Sequence, residues 1–283
     1  MGLRLSKTKK DTFSVLAVMS LSFMISTACA GNRKWIKASK TYTSKTIYAE
    51  KIQSVSSRGN IDIILTQKPG KPVIEIYGPD NIVPLVVTQI NGTDLDVSYK
   101  RHTSIIMQNQ TIEVRITVPD LEKASLYGSG DIKFHSAFKN DHKMEIGVNG
   151  SGDIIGETLS CREISLRTNG SGDVSFKALE CSDLKIGIAG SGDASLENIS
   201  CDNCRANIAG SGDIELSGKC GSAVYHIAGS GDINAKNLHA ASVTATIAGS
   251  GDIDCFASEN IEGHISGSGD INPFGNPKRV YIK

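Results

Sequence analysis

The tetrapeptide Gly-Ser-Gly-Asp occurs eight times between Gly128 and Asp270, and the spacing of its copies constrains what this chain can fold into. The copies begin at Gly128, Gly150, Gly170, Gly190, Gly210, Gly229, Gly249 and Gly267, at intervals of 22, 20, 20, 20, 19, 20 and 18 residues. One short unit of this length cannot bury an apolar face alone, so its copies are expected to stack as a solenoid.

Positions flanking each tetrapeptide identify the kind of solenoid. Two residues before the first Gly stand Leu126, Val148, Thr168, Ile188, Ile208, Ile227, Ile247 and Ile265. Four after it stand Ile132, Ile154, Val174, Ala194, Ile214, Ile233, Ile253 and Ile271. Within a unit the apolar spacing is two residues, as in Leu184, Ile186 and Ile188, which is the period of a strand and not of a helix. A unit of about twenty residues then holds three short strands joined by corners. The expected fold is all-β: a right-handed parallel β-helix of about twenty residues per turn, with irregular N-terminal coils or a cap. Gly-Ser-Gly-Asp reads as a corner whose glycines supply positive φ, with Ser and Asp bonding neighbouring amides.

Composition agrees with a narrow aliphatic core, since only 5% of residues are aromatic and 39% are hydrophobic. A formal net charge of zero argues against a nucleic-acid partner held mainly by phosphate contacts. Arg4, Lys7, Lys9 and Lys10 precede an apolar run from Phe13 to Met24 and then small residues to Ala30, the pattern of an export signal over 1–28. Ser26-Thr27-Ala28-Cys29 resembles a lipobox, which makes Cys29 the lipidation candidate, while Ala28-Cys29-Ala30 resembles an ordinary signal-peptidase site. Residues 29–46 read as a polar tether and 47–283 as a single β-helix domain, with clean repeats over 122–272. Between Pro72 and Pro119 the repeat is lost, but strands are expected at Val73 to Tyr77, Leu85 to Ile90, Leu95 to Tyr99 and Thr111 to Val118, with a hairpin turn at Asn91-Gly92. Ser57 to Leu65 looks like a degenerate repeat, and Arg279 to Ile282 like a closing strand.

The Gly-Ser-Gly-Asp-Ile units, two of them ending as Gly-Asp-Ile-Asn at 231–234 and 269–272, combine with the export signal and the Ile61-Asp62-Ile63-Ile64-Leu65-Thr66-Gln67 stretch. Together they resemble the head GIN domain family of Gram-negative bacteria, described as autotransporter-adhesin heads. The resemblance implies a β-helix on an exported, envelope-associated protein and supplies no catalytic residues.

Three sets of residues are candidates for chemistry. Stacking places Asp131, Asp153, Asp173, Asp193, Asp213, Asp232, Asp252 and Asp270 in one row. Bare carboxylates ~4.8 Å apart repel by about 1 kcal/mol in water, so the row needs compensation. Amides and Ser hydroxyls of the corner would supply it, or else Ca²⁺ held by Asp153, Asp173, Asp193, Asp213, Asp232 and Asp252. Cys161, Cys181, Cys201 and Cys220 each fall nine residues before the next corner and form a second row, continued by Ala240 and Ser258. They read as buried free thiols, with a vertical disulfide as the alternative. Cys201-Asp202-Asn203-Cys204 is a lone CxxC outside any βαβ pattern, and the six His show no metal spacing.

The functional expectation is a non-catalytic binding module without cofactor, presenting a rigid surface to a glycan or protein and touching a membrane only through a lipid anchor. The alternatives are a carbohydrate-active enzyme, whose unique acid pair beside a base would be sought in Ile74 to Arg115, and a calcium-stabilised module.

Overall fold

The structure is a computed structural model and describes residues 34–283. The export signal expected at 1–28 and the lipidation candidate Cys29 lie outside the described residues. The fold is an all-β solenoid of about eight turns with roughly 20 residues per turn. Among the described residues the only helix is the 3-10 turn Val83–Leu85, which carries Pro84 at its start.

From Val174 onward each turn is one long strand bent twice: Val174–Ile188, Ala194–Ile208, Ile214–Ile227, Ile233–Ile247 and Ile253–Ile265. Each pairs in parallel with its copy one turn away, so Val174, Ala194, Ile214, Ile233, Ile253 and Ile271 form one vertical row. In the first of these strands Val174, Phe176, Leu179, Leu184, Ile186 and Ile188 are buried. The step is two along each side and three between Phe176 and Leu179, where the chain turns. Three walls result, here called the first, second and third in chain order after each corner.

Side-chain size is balanced between neighbouring rungs. Tyr225, 1% exposed, lies in the third wall between Ala206 and Ala245, so small residues above and below make room for its ring. Gly156 does the same in the first wall, where a Cβ would stand 2.3 Å from the Phe176 ring. The rings of Phe134 and Phe176 meet edge-on across that gap, with centroids 5.5 Å apart.

The parallel stack begins before the clean repeats. Ser54–Ser57 and Asp62–Gln67 form a rung directly beneath Lys123–Leu126 and Ile132–Phe134. Beneath that rung lie strands later in sequence, Asp94–Tyr99 under Ser54–Ser57 and Glu113–Val118 under Asp62–Gln67. Antiparallel strands then end the stack. Val73–Pro79 pairs with Glu113–Val118 and Tyr42–Tyr48, and Val86–Asn91 pairs with Asp94–Tyr99. The hairpin turn is Gly92-Thr93, with Gly92 at φ +64°. These pairings occupy the edge that a stack of parallel strands leaves open. At the other end, Ile271–Phe274 and Arg279–Ile282 add a last partial turn on Ile253–Ile265.

Two expectations need correcting. The polar stretch 29–46 is not simply a tether, because Lys34–Lys37 pairs with Thr103–Ile106 and Tyr42–Tyr48 pairs with Val73–Pro79. Hydropathy missed the second strand because it lies at an edge, where only Ile47 is even partly covered. The cysteine row continues through Ala240 to Ala257 and not to Ser258. The turn between Gly249 and Gly267 is short by two residues, and the register shifts in its second wall.

Candidate functional site

Every corner is bonded to the corner beneath it. The carbonyl of Gly170 accepts N–H bonds from Ser191 at 3.0 Å and Gly192 at 3.2 Å, and the same pair recurs on Gly128, Gly150 and Gly190. The next amide, that of each Asp, makes no backbone–backbone hydrogen bond. It donates instead to the side chain of the Asp one turn away: Asp173 to Asp153 Oδ1 at 2.9 Å, then Asp193 to Asp173 and Asp213 to Asp193 at 2.8 Å each. Asp131, Asp153, Asp232, Asp252 and Asp270 extend the ladder with bonds of 2.8 to 3.1 Å.

The ladder starts at Asp62, which accepts from Asp131 and which the repeat alone did not mark. Its signal was nevertheless legible, since Gly59-Asn60-Ile61-Asp62 aligns with Gly-Ser-Gly-Asp. The compensation for stacked carboxylates is therefore the amide of the following rung. Among the described residues the corner Ser hydroxyls take no part in it, and Lys133, 3.6 Å from Asp131, forms the one ion pair to the ladder. The calcium candidates Asp153, Asp173, Asp193, Asp213, Asp232 and Asp252 each commit Oδ1 to this bond. No group of three or more His, Cys, Asp or Glu among the described residues is arranged to hold a metal.

The glycines serve a different purpose from the one expected. Of the eight that open a corner, only Gly267 has a positive φ, +158°. What the corner requires is the absence of a Cβ. On Gly128, Gly150, Gly170, Gly190, Gly210, Gly229 and Gly249 a Cβ would stand 1.9 to 2.2 Å from the carbonyl oxygen of the residue below. Stacked backbones approach too closely there for any side chain.

Cys181, Cys201 and Cys220 stack in register between the second and third walls, with Cys161 one rung before Cys181. All six described cysteines are free thiols. Burial pushes Cys161 and Cys181 up to about 12. Cys201 and Cys220 share a hydrogen bond that favours the first ionisation of the pair, and the Cys220 thiol also donates to the Ser222 carbonyl at 2.8 Å. The CxxC splits across a bend, with Cys201 half-buried in this row and Cys204 buried inside the prism between Leu184 and Ala223.

Outward side chains of the third wall form polar rows. Asn169 donates to Asn149 at 3.0 Å, Asn203 to Asp183 at 3.1 Å and Ser222 to Asn203 at 2.9 Å. Lys143 bonds Glu145 at 2.8 Å, and Lys185 bonds Glu163 at 2.8 Å. The segment in which an enzyme's acid pair was sought holds Glu113 and Glu75, 2.9 and 3.6 Å from Arg115. Both carboxylates engage one exposed guanidinium, which also lies 4.7 Å from the centre of the Tyr77 ring. That arrangement spends the acids on a structural ion triad.

The chain matches the family described as "Putative auto-transporter adhesin, head GIN domain" over residues 52–178 and again over 165–277. It belongs to this family. The fold recurs in solved structures. A "putative adhesin" from Bacteroides fragilis NCTC 9343 is 25% identical, with a TM-score of 0.55 over 87% of this chain and 94% of that one. A "putative lipid binding protein" from Parabacteroides distasonis ATCC 8503 is 24% identical, with a TM-score of 0.68 over 88% and 96%. A "putative adhesin" from Parabacteroides merdae ATCC 43184 is 21% identical, with a TM-score of 0.66 over 88% and 96%. No curated protein matches this head GIN chain.

Proposed function

We propose that this protein is a non-catalytic binding module of the adhesin type, exported to the cell envelope and held there through an acylated Cys29. The observation that carries the reading is the ladder running from Asp62 to Asp270, which locks successive corners into one rigid prism and holds the outward rows of the third wall in fixed register. Preorganised side chains lose little freedom on binding, so even a polar, flat wall can engage a partner. Membership of the head GIN family supports a surface partner, glycan or protein.

The purified mature protein should bind saturably to a glycan array or retain an envelope or surface partner in a pull-down. Turnover of a bound polysaccharide would replace this reading with the carbohydrate-active one. Mass analysis of the mature N-terminus should find acyl chains on Cys29, and a chain starting beyond Ala30 would make the protein a soluble secreted one. Melting should be the same with and without chelator, because each ladder carboxylate from Asp62 to Asp252 already has an amide donor.

A further inference from the structure

We propose that the third wall carries a saccharide-binding platform centred on Gly147 and Arg167 and selective for sugars bearing a carboxylate. The proposal deepens, and rests on, the binding-module reading. Strands Lys123–Leu126, Lys143–Val148 and Glu163–Thr168 stack here in parallel. Their outward positions make a grid three wide and three high, roughly 10 Å across the rungs and roughly 13 Å along the strands, in which Ser125 and Ser165 are covered by their neighbours.

At its centre is a glycine that the fold does not need. A Cβ on Gly147 would meet nothing closer than 3.8 Å, in contrast to the 2.0 Å overlap at the corner glycine Gly150. Glycine inside a strand weakens it and gives nothing back in packing, and it commonly marks a place where another molecule approaches the backbone. Gly187, two rungs on in the same row, has nothing within 4 Å of its would-be Cβ. Arg167 therefore stands between two bare stretches of wall. Its acidic neighbours are already engaged, Glu145 with Lys143 and Glu163 with Lys185, each at 2.8 Å. The guanidinium is left as a fork for an incoming carboxylate, which arginine binds in bidentate fashion.

The rim suits the rest of a sugar. Tyr127 is 41% exposed, and its ring is braced by the Arg58 guanidinium 4.6 Å from its centre, which is itself held by Asp96 at 2.9 Å. A fixed aromatic ring offers an apolar surface to the C–H face of a pyranose. Beside it, the bond from Asn169 to Asn149 at 3.0 Å locks both amides. That leaves the whole Oδ1 of Asn169 and the amino group of Asn149 outside this bond one rung apart, an acceptor and a donor spaced for adjacent hydroxyls.

The test uses the purified mature protein and defined probes: oligogalacturonate, oligoguluronate, a hyaluronan oligosaccharide and sialyllactose, each with its carboxyl-reduced counterpart, followed by calorimetry. At least one acidic probe should bind saturably and at least tenfold more tightly than its reduced form. Arg167→Gln should remove that tenfold preference. Gly147→Val should abolish binding of both forms without lowering the melting temperature, because a Cβ there meets nothing closer than 3.8 Å and valine favours a strand. Full binding by Gly147→Val, or an unchanged preference in Arg167→Gln, would overturn the site. Capture of a protein partner with no acidic saccharide bound would overturn the platform and leave the binding-module reading standing. Failure of both assays would remove both.

Discussion

Two glycines three residues apart, Gly187 and Gly190, are predicted to respond to the same substitution in opposite directions. In Gly190→Ala the new Cβ would lie 2.2 Å from the Gly170 oxygen and 3.1 Å from its nitrogen. That is roughly 1 Å or more short of an ordinary contact, so the corner must lift off the rung below. Lifting strains three bonds: Ser191 N–H to Gly170 O at 3.0 Å, Gly192 N–H to the same oxygen at 3.2 Å, and Asp193 N–H to Asp173 Oδ1 at 2.8 Å. At about 1 kcal/mol each, the loss is about 3 kcal/mol. In Gly187→Ala the Cβ meets nothing within 4 Å. Restricting the unfolded chain there should stabilise the protein by about 0.5–1 kcal/mol. For a domain of this size 1 kcal/mol moves the midpoint by roughly 2–4 °C, so the two variants should melt roughly 10 °C apart, with wild type between them. Thermal denaturation followed by far-UV circular dichroism measures this directly. Hydrogen exchange at Ser191 and Asp193 should also accelerate in Gly190→Ala alone. Equal melting of the two variants would refute the close-approach account of the corner.

Other perturbations follow from the same geometry. Asp193→Ala removes the acceptor of the Asp213 amide, 2.8 Å away, and should cost about 1 kcal/mol in chemical denaturation because water partly replaces it, whereas Asp193→Asn keeps an acceptor and should cost less. His142 is opposed by burial, but its 2.7 Å bond to Asp120 and its bond to the Lys143 carbonyl raise its pKa overall. With the folded value above the unfolded one, the stabilisation is complete below about pH 6.5 and lost as pH rises through the folded value; a pH series of melts should show a decline of about 1 kcal/mol or less that His142→Gln abolishes. Burial raises the Cys161, Cys181 and Cys255 thiols to about 12, so native alkylation should be slow at all three and begin in the Cys201–Cys220 pair, read by peptide mass mapping. First labelling at Cys255 would contradict the buried placement.

Much of the fold was written in local periodicity. A period of two within a unit and of about twenty between units admits few solutions other than stacked strands, because residues at one offset must share one environment. That is why the inward rows, the carboxylate row and the stacking of Cys181 on Cys201 on Cys220 were all legible without coordinates. What the corner glycines do was not, because close approach and positive φ both select glycine, and only the distance between rungs separates them. The order of the first rungs was equally hidden. Asp94–Tyr99 and Glu113–Val118 slide beneath strands that precede them in sequence, and Tyr42–Tyr48 pairs along an edge where only Ile47 is partly buried. The third-wall platform belongs to the same class. Lys123, Gly147, Arg167 and Asn169 lie on three different turns, and only lateral stacking makes neighbours of them. Repetition along the chain specifies the rung; which surfaces the rungs assemble is decided by how they are piled.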